Sequence, residues 1–185
     1  MMHKKNIADR YDSSATIYDK RYSDIQKQKY QEIIHRINFL NKSIVLDVGC
    51  GTGSFLKLLD NLATAKLKTK IGIDLSFEMI KEAHKKFPEG DFIVADSDSL
   101  PLRDNVIDLV VSITHLQNLP DPTPTIEEIV RTSKDRAQIL ISVLRKKWSQ
   151  ERLQQLMKKH NFTIIDSWEA KIEDIGVLCT YRKKD

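Results

Sequence analysis

Cysteine is nearly missing from this chain of 185 residues: Cys50 and Cys179 are its two, and they form neither a metal-binding spacing nor a disulfide framework. Two reduced thiols are expected. Also missing is any apolar run near the roughly 18 residues that a membrane-spanning helix needs, so no membrane partner is expected. The opening residues, Met1 to Arg10, lack the apolar centre of a secretory signal, which predicts a cytoplasmic protein. No internal repeat or low-complexity linker interrupts the chain, and its length suits a single domain over 1–185. Nor does any Ser-His-Asp, Cys-His or paired-carboxylate arrangement stand out.

Charge, by contrast, is plentiful. Charged residues make up 30% and apolar residues 41%, as in an ordinary globular protein, and the net charge of +4 permits an anionic partner such as RNA without demanding one. The basic residues fall in short groups, among them Lys66 to Lys70, Arg145 to Lys147 and Arg182 to Lys184. Each group reads as a solvated helix end or face, or as part of a nucleic-acid surface.

Hydrophobic periodicity orders the elements. After a polar, loose start, Tyr30, Ile33, Ile34, Ile37 and Leu40 recur at helical spacing, predicting a helix from about 24 to 40. A short strand from Ile44 to Val48 leads to a helix carrying Phe55, Leu56, Leu58, Leu59 and Leu62. A second strand, Lys70 to Asp74, precedes a helix stopped at Pro88, and a third runs from Phe92 to Ala95. Residues 107–113 are almost wholly apolar, as befits a central parallel strand. A proline-rich stretch over 114–124, too irregular for core packing, leads to a helix with Ile126, Ile129 and Val130. A fifth strand over 138–144 and a helix over 149–160 follow, and strands near 162–168 and 175–181 close the chain as a hairpin. The predicted class is α/β: a doubly wound, mostly parallel seven-stranded sheet with helices on both faces and an antiparallel C-terminal hairpin.

Ligands of such sheets lie beyond the carboxyl ends of the strands. Asp47, Asp74 and Asp96 stand at three consecutive strand ends and converge on one crevice, whereas Asp108 starts its strand and belongs to the opposite edge. Between the first strand and its helix lies the turn Gly49-Cys50-Gly51-Thr52-Gly53. Its glycines permit a tight turn and close approach of a ligand. A dinucleotide fingerprint would want a glycine where Ser54 stands, and a carboxylate at Asp47 would repel a pyrophosphate while suiting a cationic amine or sulfonium. S-adenosyl-L-methionine is therefore favoured over NAD, with an NAD-dependent oxidoreductase the alternative. Cys50 should contribute its backbone amide more than its sulfur.

These motifs, in this order, resemble those of the class I S-adenosylmethionine-dependent methyltransferases, the chain looking like a small type 11-like member from about residue 8 to 181. Asp47 to Gly53 resembles their first motif and Ile71 to Ser76 their second, whose acid, here Asp74, binds the ribose hydroxyls. Ala95-Asp96-Ser97, with Leu100 to Leu102 and Ile107-Asp108, resembles the third and fourth, in which the acid caps the adenine amino group. The residue chemistry agrees: Asp74 can accept both ribose protons, Asp96 can accept from the adenine amine while the Ser97 amide donates to the ring, and Leu75 and Met79 offer apolar faces to adenine. The segment Tyr11 to Tyr22 resembles a lid, making residues 1–22 an arm over a 23–181 core, with Tyr18 closing over the methionine end of the cofactor and Tyr11 or Tyr22 as alternatives.

The resemblance implies methyl transfer to an acceptor that is a small molecule, RNA or protein. Acceptor specificity should sit in Thr114 to Pro120, which lacks the Asn-Pro-Pro-Tyr type sequence of many nitrogen-directed members. Thr114 falls at the cofactor end of that stretch, and His115 could act as general base for a hydroxyl, phenol or carboxylate-bearing acceptor. The family's strand order puts the third strand at an edge, where a small activating protein subunit could add a strand. A non-catalytic cofactor-binding or scaffold protein is the remaining alternative.

Overall fold

The computed structural model describes residues 2–62, 67–170 and 173–183, with the backbone alone for 2–5. Lys66 and Lys184, from two of the basic groups, lie outside the described residues. The chain opens with two helices, α1 (Met2–Asp12) and α2 (Ala15–Ile34). Strand β1 (Ile44–Val48) is followed by α3 (Ser54–Asp60), β2 (Thr69–Asp74), α4 (Phe77–Lys86) and β3 (Asp91–Val94). Then come β4 (Ile107–Ile113), α5 (Thr123–Thr132), β5 (Ser133–Leu144), α6 (Gln150–Lys159), β6 (Phe162–Glu169) and β7 (Asp174–Tyr181).

The seven strands form one sheet in the order β3-β2-β1-β4-β5-β7-β6. β1 to β5 pair in parallel, while β7 runs antiparallel between β5 and β6, so the closing hairpin is as expected. Alternation along β1 sorts its side chains: Leu46 and Val48 join Ile126, Ile129, Leu153 and Met157 of α5 and α6 on one face. Val45 joins Ile33, Phe55, Leu56, Leu59 and Ile80 of α2, α3 and α4 on the other. Both faces are thus covered, which is why β4 is apolar nearly throughout.

Local signals explain the helix ends. Ser76 caps α4 by accepting from the Met79 amide at 3.1 Å, and Ser149 caps α6 by accepting from Arg152 at 3.2 Å. Four expectations need correction. The N-terminal segment is helical rather than loose, and α2 begins at Ala15 and ends at Ile34; Ile37 is buried beyond its end and Leu40 is 73% exposed. β5 begins at Ser133, its polar first half bulged around Arg136 at φ 61°. Finally, the 114–124 stretch does feed the core, since Leu116 sits in a 3-10 turn with no exposure.

Candidate functional site

At the carboxyl ends of β1, β2, β3 and β4, a cavity of about 540 Å³ is roofed by α1 and α2. Asp47, Asp74 and Asp96 all line it, as do Gly49, Cys50, Gly51, Leu75, Met79, Ser97, Thr114, His115 and Tyr18. Asp108 sits at the far edge, as expected, holding the Ser43 and Ile44 amides at 3.1 and 3.0 Å and pairing with Lys134. Gly53 is the one glycine of the turn that does not line the cavity. Its φ of 69° starts α3, and a Cβ there would stand 2.6 Å from the Phe92 ring, so this glycine permits close helix-strand packing.

The turn is shaped for a ligand at its middle. Gly49, Gly51 and Gly53 all have positive φ, and a Cβ on Gly51 would meet nothing within 4 Å, leaving its backbone open to the cavity. Asp74 orders this turn: its Oδ2 accepts from the Gly51 amide and its Oδ1 from the Ser76 amide, each at 2.9 Å. Since the helix cap is Ser76, Asp74 keeps lone pairs available on the cavity side. Asp96 accepts from the Asp98 amide at 3.0 Å, which folds the loop after β3 back on itself.

Asp47 is electrostatically exceptional. Only 3% exposed, it has no cation or hydrogen-bond donor on its carboxyl group among the described residues. Burial first, and then the Asp74 charge, push its pKa up to about 8. The phenol of Tyr18 is raised to about 12, chiefly by burial, and so stays neutral; it accepts from Gln26 at 3.3 Å. Its ring stacks obliquely on Tyr22 at 4.9 Å and meets Tyr11 edge-on at 6.3 Å.

Several residues that the sequence did not single out tie the helical roof to the core. Asp12 accepts from the Ser76 hydroxyl and from the Glu78 amide at 3.2 Å, adding a second acceptor at the start of α4. Asp19 accepts from Thr52 at 2.6 Å and pairs with Lys86, which also donates to Thr52 and Ser54 at 2.7 Å each. Asn118 donates to the Tyr11 hydroxyl at 3.2 Å. Asp12 and Asp19 each directly follow a tyrosine, Tyr11 and Tyr18, inside the quoted segment, and this repeated Tyr-Asp pair was the available signal.

The model of the family described as "Methyltransferase domain" matches residues 46–141, which span the glycine turn, all three cavity acids and His115. The chain belongs to this methyltransferase family. Among curated relatives it is 31% identical over 179 residues to the malonyl-[acyl-carrier protein] O-methyltransferase of Hamiltonella defensa, covering 97% of this chain and 67% of the relative. It is 30% identical to the enzyme of the same name from Marinomonas sp., over 78% of this chain and 53% of that one. The chain therefore spans about half to two thirds of the length of these relatives. Among solved structures, the fold matches a Haloferax volcanii methyltransferase in complex with the Trm112 methyltransferase activator, with a TM-score of 0.84 and 19% identity over 94% of this chain and 98% of that one. Magnesium protoporphyrin IX methyltransferase from Synechocystis, with bound S-adenosylmethionine, matches with a TM-score of 0.78 and 18% identity over 97% of each chain. The class I methyltransferase architecture is thus that of this chain, and no helix among the described residues is long and apolar enough to cross a membrane.

Proposed function

We propose that this chain binds S-adenosyl-L-methionine and directs its methyl group to an acceptor held under the N-terminal helices. The observation that carries this reading is the convergence of Asp47, Asp74 and Asp96 around an open glycine turn in one roofed cavity. The residues fit the cofactor. An ordered carboxylate at Asp74 suits the ribose hydroxyls, Asp96 with the Ser97 amide suits the edge of adenine, and Leu75 and Met79 suit its faces. The open backbone around Gly49, Cys50 and Gly51 suits the methionine end, with Gly53 holding the turn against β3. Contrary to expectation the Cys50 amide is already taken, since it and the Gly49 amide donate to the Ile73 carbonyl at 3.0 and 2.8 Å and the Gly51 amide donates to Asp74 at 2.9 Å. Asp47, without a partner among the described residues, gains from a cation that stabilises its ionised form and gains nothing from a phosphate, which weighs against a dinucleotide.

The cofactor supplies an electrophilic methyl carbon whose bond to sulfur breaks toward sulfur as the acceptor atom attacks. The chain's own task is alignment and exclusion of water. Tyr18 and Thr114, both in the cavity wall, close the methionine end, and residues 1–22 act as the lid over the 23–181 core. His115 accepts a proton from a hydroxyl or phenol acceptor. Incubation with tritiated cofactor and separate pools of RNA, protein, metabolites and malonyl-acyl carrier protein tests the reaction. Label in one pool is expected; none, with the cofactor bound, would leave a binding protein without catalysis. The two buried thiols suit the reducing cytoplasm where such an enzyme would work.

A small activating subunit fits the β3 edge. β3 ends the sheet, with Val94 44% exposed, and Phe77 just after β2 is 60% exposed. That edge offers unpaired backbone groups beside an apolar surface, which suits addition of a strand; the Haloferax neighbour has an activator of its own. The chain alone is expected to aggregate and turn over slowly, and a co-expressed activator of that type to cure both. Val94→Lys should remove most of the activation without changing S-adenosylhomocysteine binding. Full activity of the monodisperse chain alone at low concentration would overturn the idea.

A further inference from the structure

A chain of hydrogen bonds runs from His115 into the protein interior. His115 Nε2 lies 3.1 Å from Ser97 Oγ, and Ser97 Oγ lies 2.8 Å from Thr125 Oγ1, whose hydroxyl donates to the Asp98 carboxylate. Thr125 has no exposure and Ser97 only 6%, so water does not compete for these groups. Counting protons fixes the direction of every link. A hydroxyl has a single proton to give, and a carboxylate can only accept. Thr125 gives its proton to Asp98 and must therefore accept from Ser97; Ser97, its own proton used, must accept from His115. Nε2 carries the imidazole hydrogen, and in the neutral ring Nδ1 holds the lone pair.

The surroundings enforce this arrangement. Thr114 sits at φ 54°, a left-handed conformation that a β-branched residue rarely adopts. It is held there by its amide, which donates to the Ser142 carbonyl at 2.9 Å, and by its carbonyl, which accepts from Asn118 at 3.3 Å. This reversal turns the His115 ring onto the glycine turn, where Cγ and Nδ1 lie 2.4 Å from the place a Cβ on Gly49 would occupy. The loop bearing Ser97 and Asp98 is in turn tied to the helix bearing Thr125: Leu100 donates to Glu128 at 2.7 Å, and Arg131 donates to the Leu100 and Leu102 carbonyls at 3.0 and 2.8 Å.

We propose that Ser97, Thr125 and Asp98 are positioning residues that lock His115 in the Nε2–H tautomer, making Nδ1, on the side of the glycine turn, the atom that takes the acceptor's proton. The functional part rests on the reading of His115 as the base.

The test needs no acceptor. Full-length protein with 15N-labelled histidine, bound to S-adenosylhomocysteine, is examined by long-range proton–nitrogen NMR, with the His115 signals assigned by their loss in His115→Gln. A single Nε2–H pattern is expected. Thr125→Val, nearly isosteric, should replace it by a mixture of tautomers, and Thr125→Ser should restore it; Ser97→Ala is the second route if Thr125→Val does not fold. An Nδ1–H pattern in the unaltered protein, or an unchanged pattern in Thr125→Val and Ser97→Ala, overturns the proposal. In the tritium assay, His115→Gln should lower kcat by about 100-fold. If the NMR pattern behaves as expected and kcat does not fall, the tautomer lock stands and the base reading fails.

Discussion

Asp74→Ala is expected to weaken binding of S-adenosylhomocysteine by on the order of 100-fold or more while leaving the protein folded. Two hydrogen bonds from ribose hydroxyls to a carboxylate contribute about 1.5–3 kcal/mol each, and every 1.4 kcal/mol is about tenfold in affinity. The same carboxylate also holds the Gly51 and Ser76 amides at 2.9 Å, so its loss slackens the turn that meets the methionine end. Stability should suffer less. α4 retains its Ser76 cap and the Asp12 carboxylate, and Asp74 is only partly buried, so a loss of about 1–2 kcal/mol is expected from two amides left to water. Titration calorimetry and a thermal melt check the two halves separately. Asp74→Asn keeps one carbonyl oxygen for the amides and should fall between the alanine variant and the parent. Unchanged affinity in Asp74→Ala would move the ribose elsewhere.

The parts of the fold that could be read in the sequence are those fixed by neighbours along the chain. β1, the glycine turn and α3 follow one another within 17 residues, and a near-continuous apolar run gives way to helical spacing across the glycines. The strand-end acids were placed by topology alone, and all three meet in the cavity. What escaped depends on distant partners. The arm from Met2 to Tyr22 is too polar to announce its helices, which are held by Asp12 on α4 and by Asp19 on Thr52 and Lys86. The start of β5, Ser133 to Arg136, reads as a loop because it is polar, Asp135 and Arg136 face water and its backbone bulges, yet the buried Ser133 pairs with Ile107. Leu116 looked like part of an irregular connection, but one 3-10 turn is enough to bury it. The relay behind His115 joins Asp98 to Thr125 across a strand, and neither residue carries a local pattern that would pair them.

Asp47 gives the largest expected pH effect, because its carboxyl titrates in the folded chain at about 8 instead of at its ordinary 3.8. Below pH 8 it is neutral and must lose its proton before it can face a cation. Affinity for S-adenosylmethionine should therefore rise toward the limit of tenfold per pH unit from pH 6 to about 8 and then level off, with up to one proton released on binding at pH 7. Calorimetry in buffers of different ionisation enthalpy measures that proton. Comparison with S-adenosylhomocysteine locates the cation: both ligands carry an α-ammonium group, whereas only S-adenosylmethionine has the sulfonium. Release with both ligands places Asp47 at the amine, and release with S-adenosylmethionine alone places it at the sulfur. The unliganded chain should show the complementary trend. Between about pH 4 and 8 the folded state binds a proton that the unfolded state has lost, so stability declines as pH rises, by up to about 1.4 kcal/mol per unit, and is flat above 8. Asp47→Asn should abolish both slopes, melting higher than the parent at pH 8 while binding the cofactor more weakly. A parent protein whose affinity and melting temperature are flat from pH 6 to 8 would mean that this carboxylate is already ionised and has a partner.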